Sequence, residues 1–459
     1  MMKNEFASLK LDPLLIKNLQ DLNFKAMTPV QAEALPHVLE GKDVLAQAKT
    51  GSGKTAAFGL GILNTLDVNL LRPQSLILCP TRELAEQVAK EVRTLARAMA
   101  NVRVLTLCGG SAKYHQQKSL EHGAHILVGT PGRVLKLLRE KSIETKHIKS
   151  FVLDEADKML EMGFHTEIIN ISSFIPKKRQ SLLFSATFPE NIDKLSKDVL
   201  VEPVDVRVDT GHDSGTIEQI LFKVKGHPDK FDGLMKILGF ANPERCIVFC
   251  KTKQISDEVA RFLNKNGVVS QAIHGDLEQN ERTVTLTKFA NKSLSVLVAT
   301  DVAARGLDIK ELDAVINFDL PSDPEQYIHR VGRTGRAGET GKAYGMYIDK
   351  EMYKVEAIED LNGLQIPLKE MIKLPNKAYE LTPAMKTIYV GGGKKNKLRP
   401  GDLLGALVHE AELAPESIGK ITVLNILSYV AIQREFADQA VNKLSNGKIK
   451  NRKFKVGLA

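Results

Sequence analysis

The stretch Ala48-Lys-Thr-Gly-Ser-Gly-Lys-Thr55 constrains this chain more than any other. It has the spacing of a phosphate-binding loop, with alanine in place of the first glycine. Such a loop works in one setting, after a strand and before a helix, where backbone amides and the helix N-terminus converge on an anion. The apolar run 43–47 precedes it and a helical pattern over 55–66 follows. Ala48, Thr50, Gly51, Ser52 and Gly53 then cradle the phosphates of a nucleotide. Lys54 places a point charge on the β- and γ-phosphates, and Thr55 offers a hydroxyl to Mg²⁺.

A loop of this kind needs an open parallel sheet around it, and the chain supplies strands for two. Short apolar runs at 44–47, 75–79, 126–129, 151–153 and 182–185 alternate with amphipathic helical stretches. The pattern resumes at 246–250, 270–273, 296–299 and 314–318. Strands alternating with helices predict parallel α/β sheets. Glycine-rich polar residues at 209–215 mark one joint, and the segment around Leu374-Pro375 marks another. After the second joint the pattern changes to strand 386–390, helix 401–410, strands 418–424 and 427–433, helix 435–444 and strand 453–458, a split βαβ plan. The expected domains are 1–208, 216–372 and 386–459. With 43% hydrophobic and 26% charged residues, each can bury a core. No apolar run approaches the ~18 residues of a membrane span. The N-terminus lacks a signal pattern, so a cytoplasmic location is expected. The four cysteines, Cys79, Cys108, Cys246 and Cys250, sit in strand-like runs and are expected to be buried reduced thiols.

A second chemical feature lies about a hundred residues beyond the loop. Phe151-Val-Leu-Asp-Glu-Ala-Asp157 is an apolar strand ending in carboxylates, which places them at the sheet edge where α/β folds bind ligands. Asp154 is the candidate to hold Mg²⁺ through water. Glu155 is the candidate base that orients and deprotonates the attacking water. In the second set, His329-Arg-Val-Gly-Arg-Thr-Gly-Arg336 carries candidate catalytic side chains in His329, Arg333 and Arg336. An arginine brought to a transferring phosphoryl group can accelerate transfer by about 10³–10⁵.

These runs, together with Ser185-Ala-Thr187, Pro80-Thr-Arg-Glu-Leu-Ala85, Gly109-Gly110, Thr130-Pro-Gly-Arg133, Gly275-Asp276 and 299–308, resemble the motif set of the DEAD-box RNA helicases over residues 1–375. The resemblance implies two RecA-like domains in tandem that hydrolyse ATP with Mg²⁺ and unwind short RNA duplexes locally. It implies that Gln31 reads adenine, Phe24 packs on the base and Asp308 contacts the ribose. Arg333 and Arg336 look like arginine fingers, and Ser185 and Thr187 couple the ATP state to the RNA state. It places RNA phosphates on Thr81, Arg82, Gly110, Thr130, Gly132 and Arg133 of the first domain, and on Arg282 and Thr300 of the second. Contacts to the backbone hold a strand without reading its bases. In the adenine motif, Asn23 and Met27 stand where the family has glycine and proline.

The tail carries most of the chain's excess charge. Residues 386–459 hold 13 Lys or Arg against 6 Asp or Glu, a net +7 of the chain's +9. A compact basic module points to a polyanion. The run 391–407, together with 418–421, resembles the tail of the bacterial DbpA subfamily. That tail is an RRM-like α+β domain, and the resemblance implies 23S ribosomal RNA as target, a role in large-subunit assembly and a monomer. An ordinary RRM stacks bases on aromatics of its central strands. Here only Tyr389 and Tyr429 are available, and one or both are expected partly in the core. Lys394, Lys395, Lys397 and Arg399, with Lys448, Lys450 and Arg452, suggest instead basic loops gripping a folded RNA. Two competing readings are a translocating DNA motor on the same loop and an ATP-gated RNA clamp. The adenine glutamine and the Asp-Glu-Ala-Asp run speak against the first, and the complete catalytic set against the second.

Overall fold

The computed structural model describes residues 5–48, 51–110, 112–188, 190–208, 217–304, 312–335, 340–363, 365–375, 377, 379 and 381–459. Two compact units hold the described elements, the first sheet in one and two further sheets in the other. The first sheet contains β1 (Val44–Gln47), β2 (Ser75–Leu78), β3 (Val104–Leu107), β4 (Ile126–Gly129), β5 (Ser150–Asp154), β6 (Gln180–Ser185) and β7 (Val204–Arg207). Their order is β3-β4-β2-β5-β6-β1-β7, and every pairing is parallel. Side-chain alternation feeds two cores. Val44, Ala46, Ile77 and Val152 face one layer of helices, while Leu45, Leu76, Leu78 and Phe151 face the other. A sheet covered on both faces needs near-continuous apolar strands, which is how these read in sequence.

The second unit repeats the plan. Its parallel sheet contains β8 (Ile217–Lys223), β9 (Cys246–Phe249), β10 (Ser270–Ile273), β11 (Val296–Ala299), β12 (Ala314–Asn317), β13 (Gly341–Tyr347) and β14 (Leu368–Glu370), in the order β10-β11-β9-β12-β13-β8-β14. The run 341–347 has no β-branched residue, so composition did not mark β13. It is nevertheless buried almost throughout, between β12 and β8. The glycine-rich joint at 209–215 lies outside the described residues. The second joint is packed rather than loose: Leu374 joins the core of this unit, the Tyr379 hydroxyl donates to the Pro243 carbonyl at 2.5 Å, and Leu381 bridges to Val268.

The third sheet is antiparallel, with β15 (Met385–Val390), β16 (Ile418–Val423), β17 (Ser428–Gln433) and β18 (Val456–Leu458) in the order β16-β17-β15-β18. Helices Pro400–His409 and Ala437–Asn446 complete the expected βαββαβ order. Ile388, Val390, Val430 and Ile432 face these helices in the core. Tyr389 and Tyr429 are register partners on the face opposite the helices. Tyr429 is nevertheless buried, at 4% exposed, and Tyr389 is half-buried, in line with the expectation that one or both are partly in the core. All four cysteines are free and buried, and burial pushes the Cys108 thiol up to about 12. Among the described residues, no helix is long and apolar enough to cross a membrane.

Candidate active site

Strand order assembles the nucleotide side of the first sheet. β5, β6 and β1 are neighbours, with Asp154 paired to Phe184 and Gln47 to Ser185. The C-terminal ends of three adjacent strands therefore carry the carboxylates, Ser185-Ala-Thr187 and the loop after β1. The Ala48 amide donates to the Ser185 carbonyl at 2.9 Å, which ties that loop to β6.

The loop is folded around its own lysine. Lys54 opens helix Lys54–Asn64 and is buried, and its Nζ donates to the Ala48 carbonyl at 2.9 Å. Gly53 has φ +92, a conformation that side chains rarely adopt. A Cβ there would also sit 2.4 Å from Gln31 Nε2. That approach is close because Gln31 Nε2 donates to the Gly53 carbonyl at 3.0 Å. Gln31 Oε1 accepts from the Thr28 amide at 2.9 Å, capping helix Pro29–Leu39. Gln31 thus physically joins the adenine motif to the phosphate loop. Phe24 stands edge-on to Phe6, with ring centroids 6.0 Å apart. Asn23 has φ 59, so it takes the left-handed position that glycine commonly fills. Asparagine tolerates that region better than most residues, so the turn survives the departure from the family pattern. Met27 is buried.

Asp154, Glu155 and Asp157 are each no more than 3% exposed. Burial, with Glu155 adding to it, pushes the Asp154 carboxyl up to about 7, against the pull of Lys54 and Lys158. Its Oδ1 is buried and finds no hydrogen-bond partner among the described residues. A buried acceptor left open beside a phosphate loop is what a hydrated divalent cation would satisfy. Glu155 sits at φ 53, ψ 53 as the residue that starts helix Ala156–Glu161. Left-handed backbone in a non-glycine residue is costly and clusters at functional sites. Lys158, one turn on, meets Glu155 Oε2 at 3.0 Å with both side chains 3% exposed or less. Asp157 Oδ2 accepts from the Ala186 amide, the Thr187 amide and the Thr187 hydroxyl, each at 3.2 Å. Its amide in turn donates to Ser185 Oγ. The last carboxylate is thus the clasp between the acidic strand end and Ser185–Thr187. The sequence reading used the Asp-Glu-Ala-Asp run to identify the motif but gave Asp157 no role, and it missed Lys158.

The Asp154 shift has a measurable consequence. A carboxyl whose folded value lies above its unfolded value of 3.8 favours the fold at low pH, and this contribution fades as pH rises through the folded value. Asp154→Asn should therefore match the parent near pH 4, surpass it in thermal stability as pH rises to about 7, and hold a constant lead above that. Melting curves of nucleotide-free, magnesium-free protein across this range provide the check. A lead that is flat from pH 4 upward would contradict the assignment.

The other half of the same sheet edge holds the first set of RNA candidates. Thr81 follows β2 and caps helix Arg82–Leu95, its side chain accepting from the Leu84 amide. Gly110 follows β3, and Thr130 follows β4 at the start of helix Pro131–Arg139. Gly132 is open, with nothing within 4 Å of where a Cβ would stand. Arg82 and Arg133 are half-buried. Since β3, β4 and β2 are neighbours, these six residues share one side of the edge while the nucleotide residues share the other.

In the second unit Thr300 follows β11, and Arg282 lies on helix Gln279–Ala290, reaching the His274 and Ala303 carbonyls. β10 and β11 are adjacent, so these two are brought together. His329 and Arg333 lie on and just after helix Pro324–Val331, half-buried and buried respectively. The side chain most firmly held there is Arg330, which the sequence reading did not single out. It makes a two-pronged pair with Asp301 at 2.6 and 2.7 Å and reaches Asn317 Oδ1 and the Asp319 carbonyl. Thr50, Asp308 and Arg336 lie outside the described residues.

In the third sheet's domain, Lys394, Lys395, Lys397 and Arg399 stand on the loop after β15. Lys448, Lys450 and Arg452 stand on the loop before β18, and all seven are exposed. The loops abut, since Lys450 Nζ donates to the Lys397 carbonyl at 3.0 Å and the Gly391 amide donates to the Lys455 carbonyl at 2.7 Å. Two clusters separate in sequence make one basic end.

Comparison with known proteins agrees with this geometry. Residues 28–195 match the DEAD/DEAH box helicase family model, 229–338 the helicase conserved C-terminal domain and 387–458 the DbpA RNA binding domain. The chain is 46% identical over 449 residues to the ATP-dependent RNA helicase DbpA of Escherichia coli K12, covering 98% of each protein. It is 42% identical over 355 residues to the DEAD-box ATP-dependent RNA helicase CshA of Bacillus cereus, covering 77% of this chain and 67% of that one. Among solved structures, Saccharomyces cerevisiae Dbp5 bound to RNA and ADP BeF3 superposes with a TM-score of 0.74 at 33% identity, over 80% of this chain and 96% of that one. Mss116p bound to single-stranded RNA and AMP-PNP gives 0.71 at 28%, over 78% and 77%. With both RecA-like sheets and the tail accounted for, the chain belongs to the DEAD-box ATP-dependent RNA helicases, in the branch that carries a DbpA-type RNA-binding domain.

Proposed function

We propose that this helicase is addressed to 23S ribosomal RNA by residues 386–459 and remodels it during assembly of the large ribosomal subunit, as a cytoplasmic monomer whose working parts are 1–208, 216–372 and 386–459. The observation that carries the ATP-driven part is the clasp at the first sheet's edge, where Asp157 binds both Thr187 groups beside the loop held by Ser185. A change in the nucleotide at Asp154 and Glu155 reaches Thr187 through a single buried carboxylate. From there it passes to the half of the edge that carries Thr81, Gly110 and Thr130.

Within that reading, Lys54 exchanges the Ala48 carbonyl for the β- and γ-phosphates, and the amides of 51–53 close around them. Thr55 and, through water, Asp154 would hold a magnesium ion, which would supply positive charge to the phosphate oxygens. Glu155 orients the attacking water and takes its proton. Gln31 and Phe24 select adenine, Asp308 takes the ribose, and Arg333 and Arg336 supply positive charge to the transition state. Glu155→Gln is expected to lower turnover by about 10²–10⁴, the range for a positioned base, while ATP-dependent RNA binding persists. Hydrolysis at the parent rate would remove Glu155 from this role.

The address is supported by the DbpA-type domain and by the basic end that its two loops build together. Deleting 386–459 is expected to abolish the extra ATPase stimulation by ribosomal RNA and to leave weak stimulation by generic RNA. Binding of ribosomal RNA by the intact chain should fall steeply with salt, because each phosphate contact releases counterions. Equal stimulation of both proteins by 23S RNA would refute the targeting.

A further inference from the structure

Part of the open face of the four-stranded sheet is covered by the chain itself. Met385, Thr387, Tyr389, Tyr429 and Ala431 alternate with the helix-facing core residues, so they share the face on which an ordinary RRM displays bases. On an isolated domain that face would be wet. Here Thr387 is 2% exposed, and Ala431, its register partner, is fully buried.

What covers Thr387 comes from the turn between helix Gln279–Ala290 and β11 of the second RecA-like sheet. Asn291 Nδ2 donates to Thr387 Oγ1 at 2.9 Å, and Thr387 Oγ1 lies 2.8 Å from Ser293 Oγ. Asn291 and Ser293 are themselves buried. Asn291 Oδ1 holds the Ser293 amide, which fixes the turn in the shape that presents both groups. Three polar side chains buried together satisfy one another, and separating the two parts would return each to water or leave it unpaired. The connecting segment reinforces the contact, since Tyr379 and Leu381 are fastened to the same sheet.

We infer that the Asn291–Ser293 turn docks in the open face of the tail's sheet, so that the RNA-binding domain is carried as a fixed arm of the second RecA-like domain. The turn precedes β11 while Thr300 follows it, which puts the joint at the opposite end of that strand, the length of a four-residue strand (roughly 13 Å) or more from the candidate RNA residues. Bases cannot stack where Thr387 and Ala431 are covered, so RNA is left with the basic loop end. RNA gripped there moves with the second domain through the ATP cycle. This consequence for RNA rests on the targeting reading above; the joint itself does not.

The test is a cysteine pair, Ser293→Cys with Thr387→Cys, in the full chain, whose four native thiols are buried and stay out of the reaction. Mild oxidation is expected to close a disulfide, because the two hydroxyls already lie near the distance that such a bond requires. The oxidised protein should keep its RNA-stimulated ATPase within about twofold, well inside the range for a broken coupling. Failure to cross-link overturns the docking. A cross-linked protein that binds ribosomal RNA yet loses stimulation, restored by reductant, overturns the fixed arm. Normal cross-linking with no binding of ribosomal RNA in either redox state supports the joint and defeats the targeting reading instead. Asn291→Lys, which leaves the four-stranded domain's own sequence intact, gives a second measure. Protease cleavage between 375 and 384 is expected to speed up by about tenfold as the arm comes loose, and an unchanged rate overturns the joint.

Discussion

Lys158→Met is expected to lower RNA-stimulated turnover by about 10- to 100-fold, part of the 10²–10⁴ that a positioned base supplies, with little change in the KM for ATP. Lys158 lies on helix Ala156–Glu161, one turn beyond the acidic strand end. Its Nζ meets Glu155 Oε2 inside the protein, and its amide donates to Asp157 Oδ1. Glu155 has a left-handed backbone at the sharp turn out of β5, so its side-chain direction is not dictated by a regular helix. The ion pair fixes it, which would make Lys158 a positioning residue for the proposed base. Breaking a buried pair from one side leaves a charge without its partner and costs about 3–5 kcal/mol, so thermal stability should fall as well. Two further measurements separate positioning from simple damage. Lys158→Arg restores the pair and should recover most of the turnover. Adding Lys158→Met to Glu155→Gln should reduce turnover no further, because the carboxylate to be positioned has gone. Additive losses in that double variant would show that Lys158 acts elsewhere.

How much of this was legible beforehand follows from what each feature depends on. The phosphate loop, the acidic strand end and the nine quoted strand runs are local: apolar runs, glycines and turn residues specify them within ten residues, and all nine runs are strands. β13 was not marked, because its place is set by neighbours on both sides rather than by its own glycine- and tyrosine-containing sequence. Lys158 escaped notice because a lysine following an acidic run reads as solvated surface, and only the depth of the helix start buries it. The direction of Tyr389 and Tyr429 depends on register, and a one-residue choice decides the face. The joint through Thr387 was invisible for another reason. It joins residues 96 positions apart by side chains of ordinary polarity, with no motif on either side.

Arg330→Met is expected to destabilise the second RecA-like domain by about 3–5 kcal/mol, among the largest effects of a single substitution in the chain. Arg330 is 3% exposed and uses its guanidinium on three partners at once: both Asp301 oxygens, Asn317 Oδ1 and the Asp319 carbonyl. The loss does not stop there. Asp319 Oδ1 pairs with the fully buried Lys230 at 3.0 Å, Lys230 approaches Glu351, and Glu351 pairs with Lys354 at 2.8 Å. Buried charges arranged in series depend on each other's placement, so the loss at one end weakens the rest. Arg330→Lys should recover little, because an ammonium cannot reproduce the planar fork on Asp301. Urea unfolding of the full chain is the measurement, and a change below about 1 kcal/mol, the scale of an exposed pair, would contradict the argument. The same substitution should also slow hydrolysis, since Arg333 leaves the helix three residues after Arg330 and its amide donates to the Arg330 carbonyl at 3.2 Å. Arg330, which no catalytic assignment names, is therefore the residue that sets where the proposed catalytic arginine, Arg333, stands.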